Sequence, residues 1–70
     1  MMMQELRVGI VGMSCQGCVK NVRGVLLALP GVESVEVSLA EGQASIVYDP
    51  AAVDVSQFKA AIEDAGFEVA

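Results

Sequence analysis

The sequence predicts an α+β sandwich, a four-stranded antiparallel sheet with two helices packed on one of its faces. Two observations carry this. The spacing of apolar residues switches between a period of two and a period of 3.6 along the chain, in the order βαββαβ. The 70 residues, 54% hydrophobic and 19% charged, suffice for one small core and are far from the composition of a disordered segment.

Leu6, Val8 and Ile10 alternate with Glu5, Arg7 and Gly9, which predicts a half-buried strand ending near Val11-Gly12. From Cys18 onward the period lengthens. Cys18, Val22, Val25, Leu26 and Leu29 fall on one stripe of a helix, with Lys20, Arg23 and Leu27 opposite, and Pro30-Gly31 stops it. Gly24 weakens this helix, since glycine costs about 1 kcal/mol relative to alanine in a helix interior. Val32, Val35, Val37 and Leu39 then predict a second strand and Ala44, Ile46 and Tyr48 a third, joined through Glu41-Gly42 as a hairpin.

Asp49-Pro50 breaks the third strand, and Asp54 followed three residues later by Gln57 has the form of a capping box opening a second helix. Val55, Phe58, Ala61, Ile62 and Ala65 are its expected buried stripe. Gly66 stands where a helix-terminating glycine is expected, and Phe67 with Val69 forms a short last strand. This order is that of the split βαβ, or ferredoxin-like, sandwich. Without repeats or linker-like stretches, residues 1–70 read as a single domain.

The longest apolar run is Val25-Leu26-Leu27-Ala28-Leu29, far short of the roughly 18 residues of a spanning helix. Met1-Met2-Met3-Gln4-Glu5 has no basic region leading into an apolar one, so no secretory signal is expected and the cytoplasm is the default compartment. Nine acidic residues against four basic ones give a net charge of −5, which opposes binding to nucleic acid and to anionic membranes. The expected partner is a protein or an ion.

Cys15 and Cys18, the two cysteines, lie where the first strand hands over to the first helix. Partial positive charge from unsatisfied backbone N–H groups at a helix start favours thiolate, the form that ligates metals and exchanges ligands. Two intervening residues let both sulfurs turn toward one point. Soft sulfur donors favour Cu(I) over Mg²⁺ or Ca²⁺. Structural zinc usually takes four protein ligands, whereas this chain has two cysteines and no histidine. The helical stripe makes Cys18 the ligand that leads the buried face and Cys15 the surface ligand met first by an incoming group. An ion held by two thiolates with an open side accepts a third sulfur, so the expected activity is carriage and stepwise transfer of Cu(I), without catalysis. The bland alternative is two small buried hydrophobes. A thiol-disulfide oxidoreductase would also use Cys-x-x-Cys, but here Gly-Met-Ser precedes the pair and no thioredoxin-like βαβ opening is present.

Gly12-Met13-Ser14-Cys15-Gln16-Gly17-Cys18-Val19-Lys20-Asn21-Val22 resembles the motif and following helix of the heavy-metal-associated domain family, which includes bacterial copper chaperones and the N-terminal metal-binding domains of copper-transporting ATPases. Leu29-Pro30-Gly31-Val32-Glu33-Ser34-Val35, Tyr48-Asp49 and Ile62-Glu63-Asp64-Ala65-Gly66-Phe67 also resemble family signatures, so the match spans nearly the whole chain. The resemblance implies a ferredoxin-like fold, Cys15 and Cys18 as metal ligands and Met13 as packing that shapes the loop. It implies a copper-transporting ATPase, or another copper-handling protein, as partner.

Zinc- and cadmium-handling members often carry aspartate before the first cysteine; Ser14 stands there, which favours Cu(I). At Phe67, in the loop that faces the metal in the family, chaperones often have tyrosine and ATPase domains more commonly phenylalanine. Some chaperones have histidine where this chain has Gly17. Both a free-standing chaperone and a domain of a pump therefore fit. Lys20 and Arg23 either steer an acidic partner surface or form an ordinary solvated face, with Val19 and Leu27 as candidate apolar contacts around the site. The apo chain is expected to be a monomer, and two copies could be bridged through their thiolates by a metal, including zinc.

Overall fold

The computed structural model describes residues 3–70. Met1 and Met2, on which part of the expectation of no secretory signal falls, lie outside the described residues. The element order is β1 (Gln4–Val11), α1 (Gln16–Leu27), β2 (Val32–Ser38), β3 (Gln43–Tyr48), α2 (Val55–Asp64) and β4 (Glu68–Val69). The four strands form one antiparallel sheet in the order β2-β3-β1-β4, the ferredoxin-like arrangement. No helix is long and apolar enough to cross a membrane among the described residues.

Register follows the alternation in the sequence. Leu6 pairs with Ile46 and Val8 with Ala44, so the apolar members of β1 and β3 share one face, and Val35 and Val37 of β2 continue it through the same two β3 residues. Helix α1 supplies Val22 and Leu26 to the core and α2 supplies Phe58 and Ile62, pairs four residues apart on one face. Phe58 meets Tyr48 edge to face, with ring centroids 4.8 Å apart. The Tyr48 hydroxyl reaches the rim, where it donates to Gln4 Oε1 at 3.4 Å.

Four expectations are corrected. Leu39 is not in β2, because Ser38 Oγ accepts the Glu41 N–H at 3.3 Å and begins the turn there. Val55 is not in the buried stripe of α2: it is 48% exposed, its Cβ tilts back toward the helix start, and Val53 just before the cap takes the buried place. Phe67 precedes β4 because its N–H is already spent on the carbonyl of Ile62 at 3.1 Å. Together with Gly66 N–H to Glu63 C=O at 3.0 Å and the positive φ of Gly66, this closes α2 in a Schellman motif. Helix α1 begins at Gln16, two residues before the change of period.

Behind α2, the chain from Gly31 crosses close to the loop after β3. Asp49 N–H donates to Gly31 C=O at 2.8 Å, and a Cβ on Gly31 would lie 2.7 Å from Ala52 Cβ. With φ at +89°, no side chain fits there without strain.

Candidate metal centre

The junction of β1 and α1 carries both cysteines at one end of the sheet, Cys15 at the end of the loop and Cys18 in the first turn of the helix. The N–H of Ile10 in β1 is bound by the carbonyl of Gly42 in the hairpin turn at 2.7 Å. At Gly12 the backbone turns with φ at +102°, and a Cβ there would meet Phe67 Cδ1 at 3.5 Å. The loop therefore leaves the sheet over the ring that follows α2. Met13 is half-buried and packs against the core, which seats the loop, while Ser14 is exposed.

Cys15 is itself the N-cap of α1, with extended backbone, and its Sγ accepts the N–H of Cys18 at 3.3 Å. The Cys15 carbonyl accepts the N–H groups of Cys18 and Val19 at 3.1 and 3.3 Å. The Cys-x-x-Cys spacing thus coincides with the spacing from a helix cap to its third residue, which turns the two side chains to the same side. Their sulfurs are 2.8 Å apart. Cys15 is exposed. Cys18 is half-buried rather than part of the core, so its fixed position comes from the first turn of the helix more than from apolar packing.

The Cys15 thiol facing it, and then the backbone of Ser14, hold the Cys18 thiol below its ordinary value of 9.0, while partial desolvation acts in the opposite sense. A thiol that loses its proton more readily is a better soft-metal ligand. Among the described residues no group of three or more His, Cys, Asp or Glu side chains could hold an ion, so a donor set here consists of the two sulfurs. This suits an ion that accepts low coordination by soft donors better than tetrahedral zinc.

Of the remaining candidates, Lys20 and Arg23 are exposed on the first two turns of α1. Val19 is half-buried and, with Arg23, lines a shallow cleft of about 150 Å³ against Val35, Glu36 and Val37. Leu27, at 42% exposure, does not belong to the site. It ends α1, about 18 Å along the axis from Cys15 at 1.5 Å per residue. The capping role of Cys15 was missed in the sequence, though the three-residue offset encodes it. Phe67 lies near the metal loop, as the resemblance implies; its seat on the Gly12 turn in particular depends on tertiary packing.

Residues 7–68 match the heavy-metal-associated domain family. The chain is 47% identical over 68 residues to copper chaperone CopZ of Staphylococcus aureus, covering 97% of this chain and 98% of that protein. It is 44% identical over 61 residues to human copper-transporting ATPase 2, covering 87% of this chain but only 4% of that much longer protein. The solved structure of a CopZ metallochaperone superposes with a TM-score of 0.94 at 42% identity, over 96% of this chain and all of the other. The chain belongs to the heavy-metal-associated domain family.

Proposed function

We propose that this chain, acting as one domain over residues 1–70, is a copper chaperone that holds Cu(I) between Cys15 and Cys18. It surrenders the ion by thiolate exchange to a copper-transporting ATPase or another copper-handling protein in the cytoplasm. It is not an enzyme, in keeping with its likeness to carrier proteins. The observation that carries the reading is the convergence of two thiols at 2.8 Å, one of them exposed, with no third donor grouped with them among the described residues.

The chemistry follows from that asymmetry. Metal–thiolate bonds of about 2.3 Å place two sulfurs on opposite sides of an ion about 4.6 Å apart. Loading therefore widens the pair, and Cys15, exposed on the loop side, is the sulfur that moves. Cys18, its thiol held below the ordinary value by the Cys15 thiol facing it, is ready to ligate as thiolate. A partner thiolate adds to the open side of the ion, Cys15 leaves, and Cys18 follows when a second partner sulfur takes its place. No free ion is released. Lys20, next to the loop in a chain of net charge −5, draws an acidic partner surface toward the site.

A second reading, in which the same unit serves as a metal-binding domain inside a longer pump, is favoured by the 44% identity to a segment of copper-transporting ATPase 2. The ligand chemistry is the same in both.

The test is anaerobic titration with Cu(I) and with Zn(II) against a competing chelator, on the natural chain and on Cys15→Ser, Cys18→Ser and the double variant. Cu(I) should bind one per chain and far more tightly than Zn(II), and the double variant should not bind. Equal affinities, or Cu(I) binding that survives loss of both thiols, would overturn the proposal. Transfer is then read by mixing the loaded chain with an apo copper-ATPase domain and measuring the metal on each after separation.

A further inference from the structure

Helix α1 contains two glycines, Gly17 in its first turn and Gly24 in its third. Neither has the positive φ that makes glycine necessary, in contrast to Gly12 in the loop before the helix. Each weakens the helix relative to alanine, because glycine gives up more backbone freedom on folding. Both are exposed, but their surroundings differ. A Cβ on Gly24 would meet nothing within 4 Å. A Cβ on Gly17 would meet Cys15 Sγ at 3.8 Å and, beyond its chain neighbours and its own helix backbone, no other atom within 4 Å among the described residues.

A longer side chain at position 17 would extend over the same sulfur. Helical side chains tilt toward the N-terminus and cover the turn before their own Cα, which for Gly17 is the turn that Cys15 caps. The missing side chain therefore bares one flank of Cys15, the exposed thiol of the pair. That flank is matched to the room exchange needs. With three sulfurs around one ion at bonds of about 2.3 Å, trigonal geometry puts neighbouring sulfurs about 4.0 Å apart. An incoming sulfur and a side chain at 17 thus draw on the same narrow shell around Cys15 Sγ. A cysteine sulfur sits only two bonds from its main chain, so a protein-borne thiol brings a folded surface up to Cys15, whereas a free thiol brings a few atoms.

We infer that Gly17 sets which thiols reach the site: by leaving the flank of Cys15 bare it admits a sulfur carried on a folded protein, where a larger side chain would favour small free thiols. Gly17 is a specificity residue, neither ligand nor catalytic group. For copper the inference rests on the proposed carriage of Cu(I) by the two thiols. In the step it governs, a bond forms from the incoming thiolate to the ion and the Cys15–metal bond breaks. The departing Cys15 takes up a proton equivalent to the one the incoming thiol released, and no oxidation state changes.

Two measurements test this, and the first needs no metal. With Cys18→Ser in every chain, Cys15 is the one thiol left, and its reaction is timed with N-ethylmaleimide and with the bulkier fluorescein maleimide. Adding Gly17→Leu should raise the ratio of the small-reagent rate to the bulky-reagent rate by about tenfold, and Gly17→Ala by less. Gly24→Leu should leave the ratio as it is in the parent. In the second measurement both cysteines are present, and the Cu(I)-loaded chain is mixed rapidly with dithiothreitol or with an apo copper-ATPase domain. Loss of one copper mass from the chain is followed by mass spectrometry. Gly17→Leu should shift the ratio of these two transfer rates in the same direction, toward the small thiol. Circular dichroism establishes that each variant is folded. An unchanged ratio for Gly17→Leu in either measurement, or an equal shift in Gly24→Leu, would overturn this inference alone. A natural chain that takes up no Cu(I) would overturn the carrier reading together with it.

Discussion

The two helices of this molecule start in chemically different ways. Helix α2 opens with a full capping box. Asp54 Oδ1 accepts the Gln57 N–H at 3.2 Å and the Ser56 hydroxyl at 2.6 Å, and the Gln57 side chain accepts the Asp54 N–H at 3.1 Å. Helix α1 opens with a thiol as its cap, a weaker acceptor. At each helix start one acid is easier to ionise, the cap itself at α2 and the residue facing the cap at α1. Ser56 and Gln57 hold Asp54 below its ordinary 3.8, and Cys15 holds Cys18 below 9.0. At α2 the polar groups satisfy one another and the result is structural. At α1 the capping atom is a proposed ligand, so the helix gives up part of its own closure to keep a sulfur available.

The largest effect should come from separating cap from ligand at α1. Cys15→Ser retains an oxygen that can cap but removes a soft donor. Changes to groups behind a metal ligand already cost about 10- to 100-fold, so Cu(I) affinity should fall by more than about 100-fold. The melting temperature of the apo protein should hold or rise, and a collapse of stability with the loss of binding would break the comparison. Next is the core under α2. Phe58→Ala leaves a cavity beside Tyr48 and should cost about 3–5 kcal/mol in urea unfolding, a large part of the stability of a small domain.

Gly31→Ala, behind α2, forces a Cβ toward Ala52 at positive φ and should cost about 1–3 kcal/mol by the same measurement, with Cu(I) affinity per folded molecule unchanged. The smallest effect should be that of Asp54→Ala, a drop of a few degrees in melting temperature near neutral pH. The depressed Asp54 contributes stability above its unfolded value near 3.8 and loses it as pH falls through the lower folded value. The natural chain should therefore lose stability on acidification more steeply than Asp54→Ala does. Cys18 has the same sign in a different window. Its contribution is present above 9.0 and fades as pH falls through its lower folded value, so Cys18→Ser should flatten the alkaline part of the stability profile.

Most of the fold was legible because the alternation in β1 and β3 and the Asp54/Gln57 box are local signals that tertiary packing did not override. The errors fell at element ends, where one hydrogen bond decides. Ser38 closed β2 a residue before Leu39, and the Schellman motif held Phe67 out of β4. Val53 lies outside any periodic pattern and is buried only because the loop from Asp49 folds under α2. At the site, the residue types and their spacing were plain in the sequence. The apposition of the sulfurs depends on where the first turn of α1 begins, and the seat of Phe67 on the Gly12 turn joins residues 55 positions apart, which no local pattern encodes.

The placement of Tyr48 also decides how the protein looks to light. It is the only tyrosine, it is 5% exposed against the Phe58 ring, and the chain has no tryptophan. The near-ultraviolet spectrum is thus weak, and its one strong chromophore belongs to the core rather than to the cysteine loop. Charge-transfer bands from thiolate to metal should stand out on that quiet background, while tyrosine emission should follow unfolding alone. Loading and folding can then be followed in one cuvette without a label.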